Sequence, residues 1–395
     1  MCCTLLLFGA IADIVGNRPV FLVGNMLYTA WTLAVSLSQT GNQLIAFRAL
    51  QGVSMAFCMP TSVSTITTTF PSGLVLGGVF VNYANWRAAY YMSTGINVAT
   101  FILAWFTLPS SMTSSDGTEK SVWAKLTSEL DWVGAGSISV CLALFSYIFA
   151  ELTYSGSVMH KPENIVLLVI AVLLIPIFVV WEGRQERLAL PAMLPNSVWR
   201  STEFTVVCVT VFLVWSWFNA YGYWTTLFFQ ETQGLSALEA ALRFLPMVFV
   251  GIGTNIAAGL LVDKVSAGIL VSDPSWSYWR VGFLAMILSV VSTDTLFSVS
   301  NLVITTNFPS KKQALAGGVF NTVTQLGNSL GLAVTAVIAA AVTDAETDQA
   351  TSAKSATLKG YRVAFWTCFT AAFVSVVIST VGLRKTGKVG AKKDV

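Results

Sequence analysis

Ile165-Val-Leu-Leu-Val-Ile-Ala-Val-Leu-Leu-Ile-Pro-Ile-Phe-Val-Val-Trp181 contains no charged side chain and nothing more polar than its closing tryptophan. A helix of this length is what the hydrocarbon core of a bilayer, ~30 Å thick, requires of a spanning segment. Comparable stretches recur at residues 19–37, 44–66, 88–108, 132–150, 204–229, 244–262, 281–303, 314–341 and 363–383. With no water to satisfy exposed peptide groups, each must close its own backbone hydrogen bonds as a helix. A transmembrane barrel is excluded, because these runs lack the two-residue alternation of its strands and are twice too long. The expected fold is all-α, a polytopic integral membrane protein in contact with the lipid bilayer.

Composition points the same way. Of 395 residues, 55% are hydrophobic and 10% charged, against about 25% charged in soluble domains. A net charge of +3, with no basic cluster interleaved with aromatics, gives no nucleic-acid partner. Cys58, Cys141, Cys208 and Cys368 lie inside apolar segments, and Cys2 and Cys3 open the chain, so the six cysteines make no disulfide framework. The single histidine, His160, has no Cys or His beside it. Neither a metal site nor a hydrolase triad is expected, and the chain is read as no enzyme, with no cofactor.

The chain repeats itself. Gly9-Ala-Ile-Ala-Asp13 is echoed 250 positions later by Gly259-Leu-Leu-Val-Asp263, and Ile66-Thr-Thr-Thr-Phe-Pro-Ser72 is echoed by Ile304-Thr-Thr-Asn-Phe-Pro-Ser310 at an offset of 238. Such duplication is the mark of many transporter folds. A shorter echo, Gly77-Gly-Val-Phe80 in Gly317-Gly-Val-Phe320, is read as coincidence. The second half is 12 residues shorter between its landmarks, and only one full span, 281–303, fits where the first half holds two. Residues 74–83 are half a span long, either a shortened helix or a re-entrant or interfacial segment, and residues 1–9 read as the second part of a helix. The expectation is therefore a fold with parts of its first, fifth and one second-half helix missing.

Several motifs carry chemistry. Gly9-Ala-Ile-Ala-Asp13-Ile-Val-Gly16-Asn17-Arg18-Pro19 joins glycines, which permit a tight turn and close helix approach, to an acid that can pair with Arg18 or with a neighbouring helix end. Arg48-Ala-Leu-Gln51-Gly52 places Arg48 and Gln51 on one helix face; Arg48 either meets a polar partner or snorkels to the interface. Asp294 lies mid-span with Ser298 and Asn301 on its face, either a proton relay or a structural acid. Trp215, Asn219 and Tyr223 form one stripe and Asn321, Gln325 and Asn328 another. Both are candidates for a substrate cavity, with helix packing as the alternative. Gly327-x-x-x-Gly331 is expected to pack helices, and Trp217 and Trp224, off the stripe, either to pack or to join the interfacial belt.

The first motif and its echo at Gly259, Asp263 and Lys264 resemble the G-x-L-A-D-R-x-G-R-K signature of the major facilitator superfamily, with Ile14 and Asn17 in place of basic residues. Arg48-Ala-Leu-Gln51-Gly52 resembles its R-x-x-Q-G motif, and Trp86-Arg87 followed by Asn97 its drug-antiporter branches. Two extra helices between residues 132 and 181 resemble the fourteen-helix drug:proton antiporters, and the 315–329 stretch their fungal multidrug and aminotriazole-resistance members. The resemblance implies export of amphipathic organic compounds by alternating access, driven by a proton gradient. Gly9, Asp13, Gly16, Arg18, Gly259, Asp263 and Lys264 would gate, and Asp294 and Arg48 would couple the proton. Gln51, Ser298 and Asn301 would join the two stripes at the substrate. The alternatives are a nutrient uniporter or symporter of the same fold, or a truncated product that transports nothing.

The expected organisation is a helix bundle at 1–108, a connecting region with two extra helices at 109–202, a second bundle at 203–383 and a basic tail at 384–395. The protein is expected to be monomeric, in the plasma membrane or alternatively the vacuolar membrane. Arg384, Lys385, Lys388, Lys392 and Lys393 follow the last span, and Lys311 and Lys312 precede the one before it. By the positive-inside rule both sites are cytoplasmic, and Asp344 to Asp348 face the other side. Cysteine labelling from outside intact cells should modify the 344–348 segment and spare the tail; the reverse pattern would overturn this orientation.

Overall fold

Pro162 begins a helix where its missing N–H is harmless, Glu163 sits in the first turn, and Arg184 and Arg187 close the last turn where the helix dipole favours cations. The result is Pro162–Arg187, with Pro176 inside it. The computed structural model describes residues 2–61, 86–108, 122–154, 161–247, 250, 313–347 and 353–382. In chain order the helices are α1 (Cys2–Val15), α2 (Asn17–Leu37), α3 (Gly41–Thr61), α4 (Trp86–Thr107), α5 (Val122–Glu129), α6 (Trp132–Tyr154) and α7 (Pro162–Arg187). Then follow α8 (Thr202–Leu227), α9 (Ala237–Arg243), α10 (Gln313–Thr347) and α11 (Ala353–Gly382). No strand occurs among the described residues.

Six of the helices are long and apolar enough to cross a membrane; α3 and α4, at 21 and 22 residues, have spanning length as well. The fold is that of an all-α, multi-pass membrane protein. On α7, Val166, Val169, Val172, Leu173 and Val180 are exposed, a stripe that lipid covers at no cost and water would not. Polar side chains inside the spans turn back on their own helix. Thr29, Thr32 and Ser36 each donate to the carbonyl one turn earlier, at 2.7–3.1 Å, as do Ser93, Thr94 and Asn97 on α4.

Helix α10 is the hub, packing against α8, α11, α1, α6 and α3, while α2 pairs with α3 and α4, and α6 with α7. The α8–α10 contact is the tightest. A Cβ on Gly327 would lie 2.4 Å from the Phe212 carbonyl oxygen, and one on Gly331 would lie 2.1 Å from that of Ser216. Two glycines four residues apart thus meet two carbonyls four residues apart in the same order, so α8 and α10 run parallel, backbone on backbone. The expected packing role of this pair holds. Trp217 and Trp224 are buried beside it, and the Trp224 indole donates to Thr335 Oγ1 at 2.9 Å.

Helix ends depart from expectation. α10 continues to Thr347, so Asp344 and Glu346 stand on its last turn rather than in a loop, and α11 begins at Ala353, ahead of the expected 363. Hydropathy marks the bilayer core, whereas a helix continues beyond the core until a cap or breaker stops it. The short helices α5 and α9 were invisible to a search for spans. α9 opens with a capping box in which Ser236 and Glu239 bond reciprocally. The Ser236 backbone N–H, then its hydroxyl, hold the Glu239 carboxyl below the usual carboxylate range. Residues 74–83, 251–312 and 384–395, which carry the expected half-span, most of the shortened repeat and the tail, lie outside the described residues.

Gly331→Leu should lower the melting temperature of detergent-purified protein, by roughly 1–3 kcal/mol of stability or more, because the added carbons meet backbone. Gly136→Leu, where an added Cβ would meet nothing within 4 Å, should leave it near the wild-type value. Equal melting of the two variants would contradict the α8–α10 contact.

Candidate transport site

The chain must reverse between α1 and α2, and Gly16 does so at φ 105, ψ 145, a left-handed conformation that glycine adopts at little cost. That turn leaves Asp13 on the last turn of α1. Its Oδ2 accepts from the Leu315 N–H at 2.9 Å, across 302 residues of sequence. Leu315 is in the first turn of α10, where amides have no intrahelical partner and the dipole attracts an anion. The helix end, one of the two partners the sequence allowed for Asp13, is thus present. Arg18 Nη2 donates to the Trp105 carbonyl at 3.1 Å, at the far end of α4, where the dipole favours a cation. Gly9 is buried in the same end of α1.

The seam extends along both helices. A Cβ on Gly318 would lie 3.0 Å from the Leu5 carbonyl oxygen, so the α1 and α10 backbones nearly touch. Leu6, Leu315, Ala316, Val319 and Phe320 share one apolar cluster with Phe204 and Val207 of α8. The echo at Gly317-Gly318, read as coincidence, therefore includes a glycine that the seam requires.

Arg48 has polar partners. Its Nη1 donates to Gln51 Oε1 at 2.9 Å, Gln51 Nε2 donates to Thr32 Oγ1 at 2.7 Å, and Thr32 in turn donates to the Tyr28 carbonyl at 2.7 Å. The guanidinium also sits 5.8 Å from the Tyr90 ring centroid, so Arg48 and Gln51 of α3 join α2 to α4. Arg87 Nη2 closes the same group by donating to the Ser38 carbonyl at 2.7 Å.

On α8 the stripe grows more exposed toward its C-terminal end. Trp215 is half-buried against Phe218, with ring centroids 5.8 Å apart, while Asn219 and Tyr223 are exposed. On α10, Asn321 Nδ2 donates to the Gly317 carbonyl at 2.8 Å, Gln325 is half-buried, and Asn328 Oδ1 is buried without a partner. Beyond the stripes, the Tyr361 hydroxyl of α11 donates to Glu231, in the π turn Phe228–Thr232 that ends α8. Arg243 lies over the Phe229 ring at 5.0 Å.

Gly259, Asp263, Lys264, Asp294, Ser298 and Asn301 lie outside the described residues. Sequence reasoning missed Thr32, Gly318, Glu231 and Tyr361. Thr32 sits on the face of α2 with Asn25 and Tyr28, a polar run that would have marked it. Glu231, closing an apolar span, would have been the signal for the other end.

The family model described as Major Facilitator Superfamily matches residues 1–73, which contain the Asp13 turn and the Arg48–Gln51 pair. MFS-type transporter 1 of Pyricularia oryzae is 39% identical, over 98% of this chain and 76% of its own. That alignment runs over 469 positions, more than the 395 of this chain, so the relative has residues inside the aligned region with no counterpart here. The low affinity ammonium transporter of Saccharomyces cerevisiae is 25% identical over 92% of this chain and 74% of its own. The aminotriazole resistance protein of the same yeast is 23% identical over 84% and 67%. With a relative 39% identical over 98% of this chain, the chain belongs to the major facilitator superfamily of membrane transporters.

Proposed function

We propose that this chain is built to export amphipathic organic compounds in exchange for protons, by alternating access. The observation that carries the reading is that the two stripes lie on α8 and α10, which run parallel and closely packed. One offers Trp215 and Tyr223 as aromatic surface; the other has at Asn328 a buried amide oxygen without a partner. An unpaired buried acceptor is unfavourable by roughly 1–3 kcal/mol, an amount that a substrate N–H or O–H would recover. Aromatic faces with a few amides suit a compound that is mostly apolar with scattered donors. The name of the aminotriazole-resistance relative supports export. The Asp13–Leu315 bond supplies a clamp that holds one side shut until the halves rock.

Proton coupling is assigned to Asp294, with Arg48 on the other half. Arg48 supports this role by being exposed while held in place by Gln51 and Tyr90. The extra pair α6 and α7 fits the fourteen-helix branch. The plasma membrane is the proposed site, and the working unit a monomer. A second reading, uptake of a small nutrient, is favoured by the ammonium-transporter relative. The 469-position alignment supports missing internal segments, which the sequence pattern assigns to the stretches after Gly73 and after Val265. A carrier needs both halves to present matching bundles, so the chain as it stands is proposed to be inactive.

Two versions expressed in a pump-deleted yeast separate these readings: the chain itself, and one carrying the relative's internal segments at those two points. The second should confer resistance to amphipathic toxins, and the first should not. Equal resistance would show that the segments are dispensable; uptake of methylammonium without resistance would favour the nutrient reading. In the completed version, Asp294→Asn should reduce proton-driven export at least about tenfold, as loss of a coupling acid does, with expression unchanged. Export against a gradient at the wild-type rate would make Asp294 structural.

A further inference from the structure

A carboxyl group that no transport step uses is buried between the two connecting helices. Glu182, on the last turns of α7, is 0% exposed, and its Oε1 has no hydrogen-bond partner. Its Oε2 accepts from the Leu194 N–H at 3.1 Å, with the Met193 amide alongside. Asp131, just before α6, is 7% exposed; its Oδ1 accepts from the Gly134 N–H at 2.9 Å, and both its oxygens accept from the Trp181 indole at 2.9–3.1 Å. A Cβ on Gly134 would lie 2.3 Å from Asp131 Oδ2 and 2.7 Å from Glu182 Oε1. The two oxygens therefore face one small space that the missing side chain leaves open.

We propose that Asp131 and Glu182 form a proton-binding site at this end of α6 and α7, and that its proton keeps the 188–201 segment docked on the start of α10. Burial, and the repulsion a second charge beside Asp131 would meet in that space, keep the proton on Glu182. Asp131 already accepts from two N–H groups, and Glu182 Oε1 accepts from none; the proton goes on Oε1, facing Asp131 Oδ2 across that space. Among the described residues, the charges beside it offer no cation in its place. Glu186 adds like charge, and Arg184 is turned over the Trp181 ring at 5.9 Å. From the 188–201 segment come backbone amides and Asn196, which donates to the Val179 carbonyl. The α1 and α10 neighbours in this cluster are apolar, Leu6, Leu315 and Ala316, and Asp13 is engaged by the Leu315 amide.

The consequence reaches the clamp. Met193 and Leu194, held by Glu182, pack in the same cluster as Leu315 and Ala316, the turn that Asp13 grips. When pH rises and the proton leaves, the repelled Glu182 carboxylate turns to water and releases Leu194. Docking is complete at low pH and is lost as pH rises. The clamp side is the one that the positive-inside rule makes cytoplasmic, so the site would read internal pH.

The test uses the full chain in lipid nanodiscs and no transport assay, so it stands apart from the export reading. Infrared spectra should show a protonated-carboxyl band that disappears on alkaline titration and is missing from Glu182→Gln. Amide exchange of residues 188–201, corrected for the pH dependence of exchange chemistry, should accelerate by up to about tenfold per pH unit above the transition, and stay slow throughout in Glu182→Gln. Asp131→Asn removes the repelling charge and should move the transition to lower pH by about one unit or more. Should Glu182→Gln fail to fold, the wild-type and Asp131→Asn titrations decide. The proposal is overturned if the band persists in Glu182→Gln, if wild-type exchange in 188–201 follows chemistry alone, or if Asp131→Asn leaves the transition in place.

Discussion

A single carboxylate, Asp13, joins the first described helix to the start of α10 through the Leu315 amide, and α10 touches more of the molecule than any other described helix. A charge-assisted bond of this kind contributes about 1.5–3 kcal/mol, and the dipole of α10 adds a few tenths to one. That strength suits the proposed clamp: enough to favour one arrangement, too little to forbid the other. Everything that positions it is local and stiff. Gly16 reverses the chain in a conformation a side chain would strain, and Gly318 lets α10 come up to the Leu5 backbone. The apolar cluster around Phe320 and Phe204 excludes water from the seam.

The bilayer sets the second constraint. Several hydroxyls that would be stranded in hydrocarbon bond to the carbonyl one turn back, so the spans carry Thr and Ser without losing helix. Against that background the buried atoms left without partners stand out, among them Asn328 Oδ1 on the α10 stripe and Glu182 Oε1 between the connecting helices. Orphaned groups in native structures call for an explanation. Here one faces where a substrate is proposed and the other where a proton is proposed.

Much of this was legible in the sequence. Spans could be read because hydropathy reports bilayer thickness directly, and Gly327 with Gly331 because small residues one turn apart have few other uses in a span. The helix-end partner of Asp13 was one of two open options. What resisted reading depends on the phase of one helix against another. Nothing local says that Gln51 meets Thr32, 19 residues away, or that Gly134 leaves a space shared by Asp131 and Glu182. Helix ends were misjudged for a related reason: α10 outruns its apolar core to Thr347, and only its amphipathic continuation could have shown it.

Amide exchange in the first turn of α10 tests the central claim most directly, by comparing residues 313–320 in wild-type protein and in Asp13→Ala. The account predicts slow exchange in the wild type and exchange faster by roughly tenfold to a hundredfold in the variant, the equivalent of the lost bond, with the α8–α10 contact at 327–331 unchanged. Identical protection of residues 313–320 in the two proteins would show that Asp13 does not hold α10, and would contradict the clamp.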